Sequence, residues 1–167
     1  MSQDTSVLRD TAPLDLRLSE AELDAMRERV VEFVRGVVDD AEADGAVIGL
    51  SGGIDSTTTA AVAVEALGPD GVHGLVMPSE VNTDENMSDA ERVAERLGIE
   101  SDVVDINPIA EAVFDAYPDA TESRMAAGNV RVRLRGVLNY FVANHENRIV
   151  LGTGNRSEAL TGYFTKY

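Results

Sequence analysis

Between residues 46 and 67 the chain passes from a short apolar run, through a glycine turn, into a helix, and few folds tolerate that order. Ala46-Val47-Ile48, rich in β-branched side chains, has the character of a strand covered on both faces. It runs into Gly49-Leu50-Ser51-Gly52-Gly53-Ile54-Asp55-Ser56, after which residues 57–67 are small and apolar at helical spacing, with no breaker before Gly68-Pro69. A strand that turns through Ser-Gly-Gly into a helix gathers backbone N–H groups and about half a positive charge at one point, which suits a phosphate. The two glycines carry no Cβ to hold a ligand away. Asp55 would repel that phosphate unless a divalent cation lay between them. The plainer alternative makes Gly-Gly a tight turn and Asp55 an ordinary helix-start charge.

Strand and helix alternate around this unit. Ser19, with Glu22 three residues on, forms a capping box, so the first helix is expected from Ser19. Leu23, Met26, Val30, Phe33, Val34 and Val37 then share one apolar stripe, the mark of core or of a subunit contact. Gly68-Pro69-Asp70-Gly71 reads as a turn, and residues 72–77 as a second strand stopped by Pro78. Thr83 is the expected cap of a helix whose inner face holds Met87, Ala90, Val93, Ala94 and Leu97 and which Gly98 closes. Residues 101–106 read as a third strand, 108–114 as a helix, and Ile149-Val150-Leu151 as a further buried strand. This alternation predicts an α/β fold, a parallel sheet with helices on both faces, which takes ligands at the carboxyl ends of its strands. Residues 1–18 read as a flexible polar arm and 19–167 as one domain, large enough to bury a substantial core.

Composition narrows the function. The 30 acidic residues against 14 basic ones give a net charge of −16, which argues against nucleic acid as a partner. There is no cysteine, so disulfides and thiol catalysis are both excluded. No apolar run approaches the ~20 residues that span a bilayer, and the N-terminus lacks the apolar core of a signal peptide. A cytoplasmic protein with no membrane attachment is expected. Lys166 is the only lysine. Such an acidic, lysine-poor composition is similar to that of proteins from salt-rich cytoplasm, where the Debye length falls to about 3 Å at 1 M and self-repulsion is screened.

Two later segments can complete a site. Residues 121–129 read as a loop, and Arg124, Arg131, Arg133 and Arg135 gather within and after it. At about 100° per residue, Val130, Leu134, Val137, Leu138 and Phe141 share one stripe. Arg131 and Arg135 then lie on one flank, and Arg133 on the other beside Tyr140. The arginines either snorkel over the core edge toward acidic neighbours or, in the case of Arg133, grip an anionic ligand with the guanidinium fork. After Leu151, Gly152-Thr153-Gly154-Asn155-Arg156-Ser157-Glu158 forms a second strand-to-helix glycine loop, expected at the same sheet edge as the first. Glu158 is there a second candidate ligand for the cation at Asp55.

Ser51-Gly52-Gly53-Ile54-Asp55-Ser56 resembles the pyrophosphate-binding loop of the N-type ATP pyrophosphatases, which split ATP between its α and β phosphates and adenylate a carbonyl or carboxylate. Further blocks extend the likeness: Gly74-Leu75-Val76-Met77-Pro78, Asn129-Val130-Arg131-Val132-Arg133, Leu151-Gly152-Thr153-Gly154-Asn155-Arg156-Ser157-Glu158 and Thr161-Gly162-Tyr163-Phe164-Thr165-Lys166-Tyr167. Through them, residues 46–167 closely resemble the ammonia-dependent NAD synthetases, the last block being the most specific. The resemblance implies a Rossmann-like adenine-nucleotide α-hydrolase fold and a homodimer. It also implies ATP-dependent amidation of deamido-NAD (nicotinic acid adenine dinucleotide) by ammonia, through an adenylate, with release of pyrophosphate and AMP.

Carried over by motif, Gly49, Leu50, Ser51, Gly52, Gly53, Ile54, Asp55, Ser56 and Thr153 would hold ATP. Asp55 and Glu158 would hold Mg²⁺, and Arg133 and Lys166 would contact deamido-NAD; no protein nucleophile is implied. The stretch before residue 46 is too short for the cysteine-dependent amidase domain of glutamine-dependent relatives, so ammonia is the expected nitrogen source. The family continues past the Thr-Lys-Tyr block with more ATP and substrate contacts, so a chain ending at Tyr167 is expected to leave the site unfinished on one side. Two other readings stay open: another N-type pyrophosphatase, such as a GMP-synthetase-like amidotransferase, or a catalytically silent nucleotide-binding module.

Overall fold

The computed structural model describes residues 17–78 and 84–166, the side chains of 84–88 excepted. Four strands, β1 (Gly45–Leu50), β2 (Val72–Val76), β3 (Glu100–Val103) and β4 (Arg148–Leu151), form one sheet in the order β3-β2-β1-β4. Every neighbouring pair is parallel. The helices are α1 (Glu20–Asp40), α2 (Ile54–Leu67), α3 (Asp84–Leu97), α4 (Asn107–Ala116), α5 (Arg124–His145) and α6 (Arg156–Thr161). From β1 the chain steps outward to β2 and β3, then returns across the sheet to place β4 on the other flank of β1. The direction of winding therefore reverses between β1 and β4, and the loops leaving their carboxyl ends diverge to open a crevice.

Alternation along the strands divides the core into two layers. Ile48 and Leu50 of β1, with Val72 and Val76 of β2, pack against Ala60 and Ala63 of α2 and Ala90 and Ala94 of α3. Val47, Leu75 and Met77 face the other way, onto Ile106 and Ala143. Alanine on the inner faces of α2, α3 and α5 keeps those helices close to the strands. Ile48 and Leu75 are wholly buried, each worth about 1.5–3 kcal/mol of transfer free energy. At the amino end of the sheet, buried His73 donates from Nδ1 to Glu146 at 2.8 Å. Arg148 Nε pairs with the same carboxylate at 2.9 Å, tying the end of α5 to β4.

Several elements depart from the sequence reading. The 121–129 stretch is not a loop throughout: Ser123 caps α5 by accepting from Ala126 N, and helix runs from Arg124. Gly128 and Asn129 look like loop punctuation, but Met125-Ala126-Ala127 are strong helix formers that carry the turn through them. Strand β3 stops at Val103 rather than Ile106, because the Asp105 carboxylate accepts from Asn107 N and turns the chain into α4. Helix α2 starts at Ile54, ahead of Thr57.

Of the expected α1 stripe only Val34 is buried. The line that packs on α2 is Val31 and Val34 against Ala66, whereas Leu23, Met26, Val30, Phe33 and Val37 are exposed. On α5, Val137 and Phe141 are likewise exposed, and Leu138, Val142 and Ala143 make the core contact. The capping box at Ser19 and Glu22 and the closure of α3 by Gly98, at φ 69°, are as expected. The Thr83 cap, the side chain of Met87 and most of the proposed arm lie outside the described residues.

Candidate active site

The loop between β1 and α2 holds its own shape. Gly52 has φ 74°, a left-handed conformation that residues bearing a Cβ rarely adopt. Ser51 Oγ accepts from Gly53 N at 3.3 Å. Ser56, buried beneath the turn, donates to Gly53 O at 3.1 Å and accepts from Ser51 N at 3.3 Å. Gly53 is the N-cap of α2, and no side chain caps the helix. The first-turn N–H groups are thus presented at the carboxyl edge of β1 with the positive end of the helix dipole behind them.

The loop from β4 into α6 faces it. Asn155 caps α6, its Oδ1 accepting from Glu158 N at 2.9 Å while Glu158 Oε2 accepts from Asn155 N at 3.0 Å. The same asparagine's Nδ2 lies 3.4 Å from Asp55 Oδ1. One residue therefore links the two carboxylates singled out as cation ligands. Among the described residues no three His, Cys, Asp or Glu side chains gather as a metal cluster. Two carboxylates beside a turn that presents helix N–H groups would fit a hard cation that takes its other ligands from phosphate oxygens and water, the habit of Mg²⁺ rather than of a fully caged metal.

Between the loops lies a cleft of about 560 Å³, lined by Gly49, Leu50, Ser51, Gly152 and Thr153 from the sheet edge and by Arg135, Asn139 and Tyr140 from α5. Where α5 crosses β1 the contact at Gly49 is close, since a Cβ there would sit 3.3 Å from Asn139 Nδ2 and 3.4 Å from Met77 Cε. The three arginines of the Arg131-Val132-Arg133-Leu134-Arg135 run go three ways. Arg131 lies over the Phe114 ring, 5.2 Å from its centroid. Arg133 donates to the backbone carbonyl of Lys166 at 3.0 Å, and Thr165 donates to Asn129 at 3.0 Å, so the C-terminal block docks on α5. Arg135 donates from Nε to Met77 O at 3.1 Å and turns into the cleft. Burial, and secondarily the charge of Arg131, holds the Arg135 guanidinium below its ordinary value.

Gly49, Leu50, Ser51 and Thr153 thus share one cleft, and Asp55 and Glu158 meet through Asn155. Arg133 and Lys166 come together beside it, on the Val137 and Phe141 side of α5. The sequence reading assigned no site role to Asn155, Arg135 or Asn139. Asn155 was open to detection, because Asn-Arg-Ser-Glu is a capping-box pattern.

The family model for NAD synthase matches residues 26–167. The NH(3)-dependent NAD(+) synthetase of Halobacterium salinarum is 59% identical over 156 residues, covering 93% of this chain and 58% of its own length. The solved NH3-dependent NAD synthetase from Campylobacter jejuni superposes with a TM-score of 0.79 at 32% identity, over 85% of this chain and 61% of that one. The NMN synthetase from Francisella tularensis gives 0.80 at 37% identity, over 86% and 59%. The chain spans little more than half the length of the curated relatives it matches. On the match over residues 26–167, together with the two glycine loops at the β1/β4 crevice, the chain belongs to the NAD synthase family.

Proposed function

We propose that this chain takes part in ATP-dependent amidation of deamido-NAD by ammonia, giving NAD, AMP and pyrophosphate through an adenylated carboxylate. The observation that carries the reading is the pair of opposed strand-to-helix loops whose carboxylates, Asp55 and Glu158, are linked through Asn155. The family membership and the relatives' names support it. Residues 19–167 act as the synthetase's nucleotide-binding unit.

In this scheme the N–H groups at the start of α2 bind the departing pyrophosphate oxygens, and Gly52 and Gly53 let the phosphates approach the backbone. Thr153 and Ser51 hold the nucleotide from either side of the crevice. Asp55 and Glu158 would bind Mg²⁺, which supplies charge neutralisation to the phosphates. Arg133 and Lys166 bind and orient deamido-NAD at the outer side of α5. The reaction joins a substrate carboxylate to a phosphorus and then to ammonia, so the protein's contribution is alignment and offset of negative charge.

A homodimer belongs to the proposal. Its support is the apolar face that α1 leaves uncovered, with Phe33 68% exposed in a groove of about 680 Å³ floored by α2 and β4. Adaptation to a salt-rich cytoplasm is supported by the net charge of −16. The name of the Francisella relative favours one second reading, amidation at the mononucleotide level, with NMN as the product.

The test is NAD formation from deamido-NAD, ATP, Mg²⁺ and ammonium in molar salt, with glutamine as the control donor and nicotinate mononucleotide as the control acceptor. NAD with ammonium alone supports the proposal, and NMN formed in preference supports the second reading. ATP binding without product from either acceptor would leave this chain as a nucleotide-binding module and refute both.

A further inference from the structure

We infer that Arg135 binds an oxyanion of the ligand that occupies the cleft between the two glycine loops, an inference that rests on the function proposed above. The chain has more than twice as many acidic as basic side chains, and carboxylates meet several of its described arginines. Arg27 lies 3.7 Å from both Asp24 and Glu65, and Arg148 lies 2.9 Å from Glu146. Arg135 is different. It is half-buried, its one polar contact is the Met77 carbonyl, and no carboxylate pairs with it among the described residues.

A desolvated cation without a counter-charge is unfavourable, and removing the charge is commonly neutral or stabilising. Such a group persists where a ligand completes it. The bond from Nε to the end of β2 fixes the guanidinium while leaving both terminal nitrogens without an acceptor among the described residues, and a planar fork held that way matches two oxygens of a phosphate or carboxylate. One turn along α5 the same wall carries a second unmet group. Asn139 Oδ1 is buried and has no hydrogen-bond partner among the described residues. Arg131 and Arg133 do not line this cleft.

The test compares the full chain with Arg135→Met, measuring unfolding without ligand and affinities for inorganic pyrophosphate, ATP with Mg²⁺, and deamido-NAD. Arg135→Met is expected to melt no lower than the parent, and to bind at least one of the probes about tenfold or more weakly, the scale of a lost charge-assisted pair. Loss with pyrophosphate and ATP assigns the oxyanion to the nucleotide phosphates, and loss with deamido-NAD alone assigns it to the acceptor. A lower melting point with all three affinities intact would overturn the inference and make Arg135 structural. Pyrophosphate binding that depends on Arg135, with neither nucleotide bound, would sustain the oxyanion site and refute the proposed reaction. Nucleotide binding equal in both proteins would do the reverse, and a parent that binds none of the probes overturns both. Should Arg135→Met not fold, Arg135→Lys keeps the stem and charge but loses the fork, and it is expected to show the same affinity loss.

Discussion

Asn155 offers a direct test of how the two glycine loops are joined, because its side chain has separable roles. As N-cap of α6 it accepts from Glu158 N at 2.9 Å, and replacing such a cap by alanine costs about 1 kcal/mol. Its contact with Asp55 Oδ1, at 3.4 Å, is longer than a good hydrogen bond and adds little by itself. Asn155→Ala should therefore lower stability by about 1 kcal/mol, roughly 2–4 °C for a chain of this size. Asn155→Asp caps the helix equally well but sets a carboxylate against Asp55. For exposed charges about 4 Å apart that repulsion is also about 1 kcal/mol. Without divalent cation the two variants should melt alike.

They should part when Mg²⁺ and ATP are added at constant ionic strength, adjusted with NaCl and followed by thermal unfolding. In the aspartate variant the added carboxylate faces a cation and its penalty vanishes, whereas the alanine variant still lacks its cap and stays about 1 kcal/mol below the parent. Full recovery of the aspartate variant in NaCl alone would mean simple screening and no cation between the loops. An aspartate variant that melts with the parent under all conditions would show that position 155 does not adjoin Asp55, and the linkage of the two carboxylates would fall.

Three further outcomes follow from the fold. Hydrogen bonds from Ser19 hold the Glu22 carboxyl below its ordinary value of 4.5. The unfolded chain then binds the proton more tightly, so this contribution is complete above that value and is lost as pH falls through the native one; Glu22→Gln should flatten the acid limb of a stability profile, and an unchanged profile would refute the role. Leu75→Ala opens a cavity in a wholly buried position and should cost about 2–5 kcal/mol, read as a drop in the urea midpoint at constant slope; a loss below 1 kcal/mol would contradict its central place in the second layer. Phe33→Asp places a charge on the uncovered face of α1 and should convert the proposed dimer to monomer in sedimentation, with little loss of monomer stability; an unchanged dimer would move the interface elsewhere.

The parts of this molecule that could be read from residue order are those set by local periodicity. Ala46-Val47-Ile48 reads as a strand covered on both faces, Gly52-Gly53 as a turn into a helix, and Ser19 with Glu22 as a helix start, whatever the rest of the chain does. The crevice is different, because it exists only since β4 pairs with β1 and not with β3, a choice made by contacts a hundred residues apart. The arginines make the same point at finer scale. Helical spacing sorted Arg131, Arg133 and Arg135 correctly by flank, but flank does not decide partner. What separates Arg131 from Arg135 is that one meets the Phe114 ring on α4 and the other meets the last carbonyl after β2. Those two surfaces are brought to α5 by tertiary packing alone. The charge of the chain sharpens the contrast, since so acidic a protein could satisfy a cation almost anywhere on its surface. An arginine held inside the cleft, away from that supply, is poised for an anion that arrives from outside the chain.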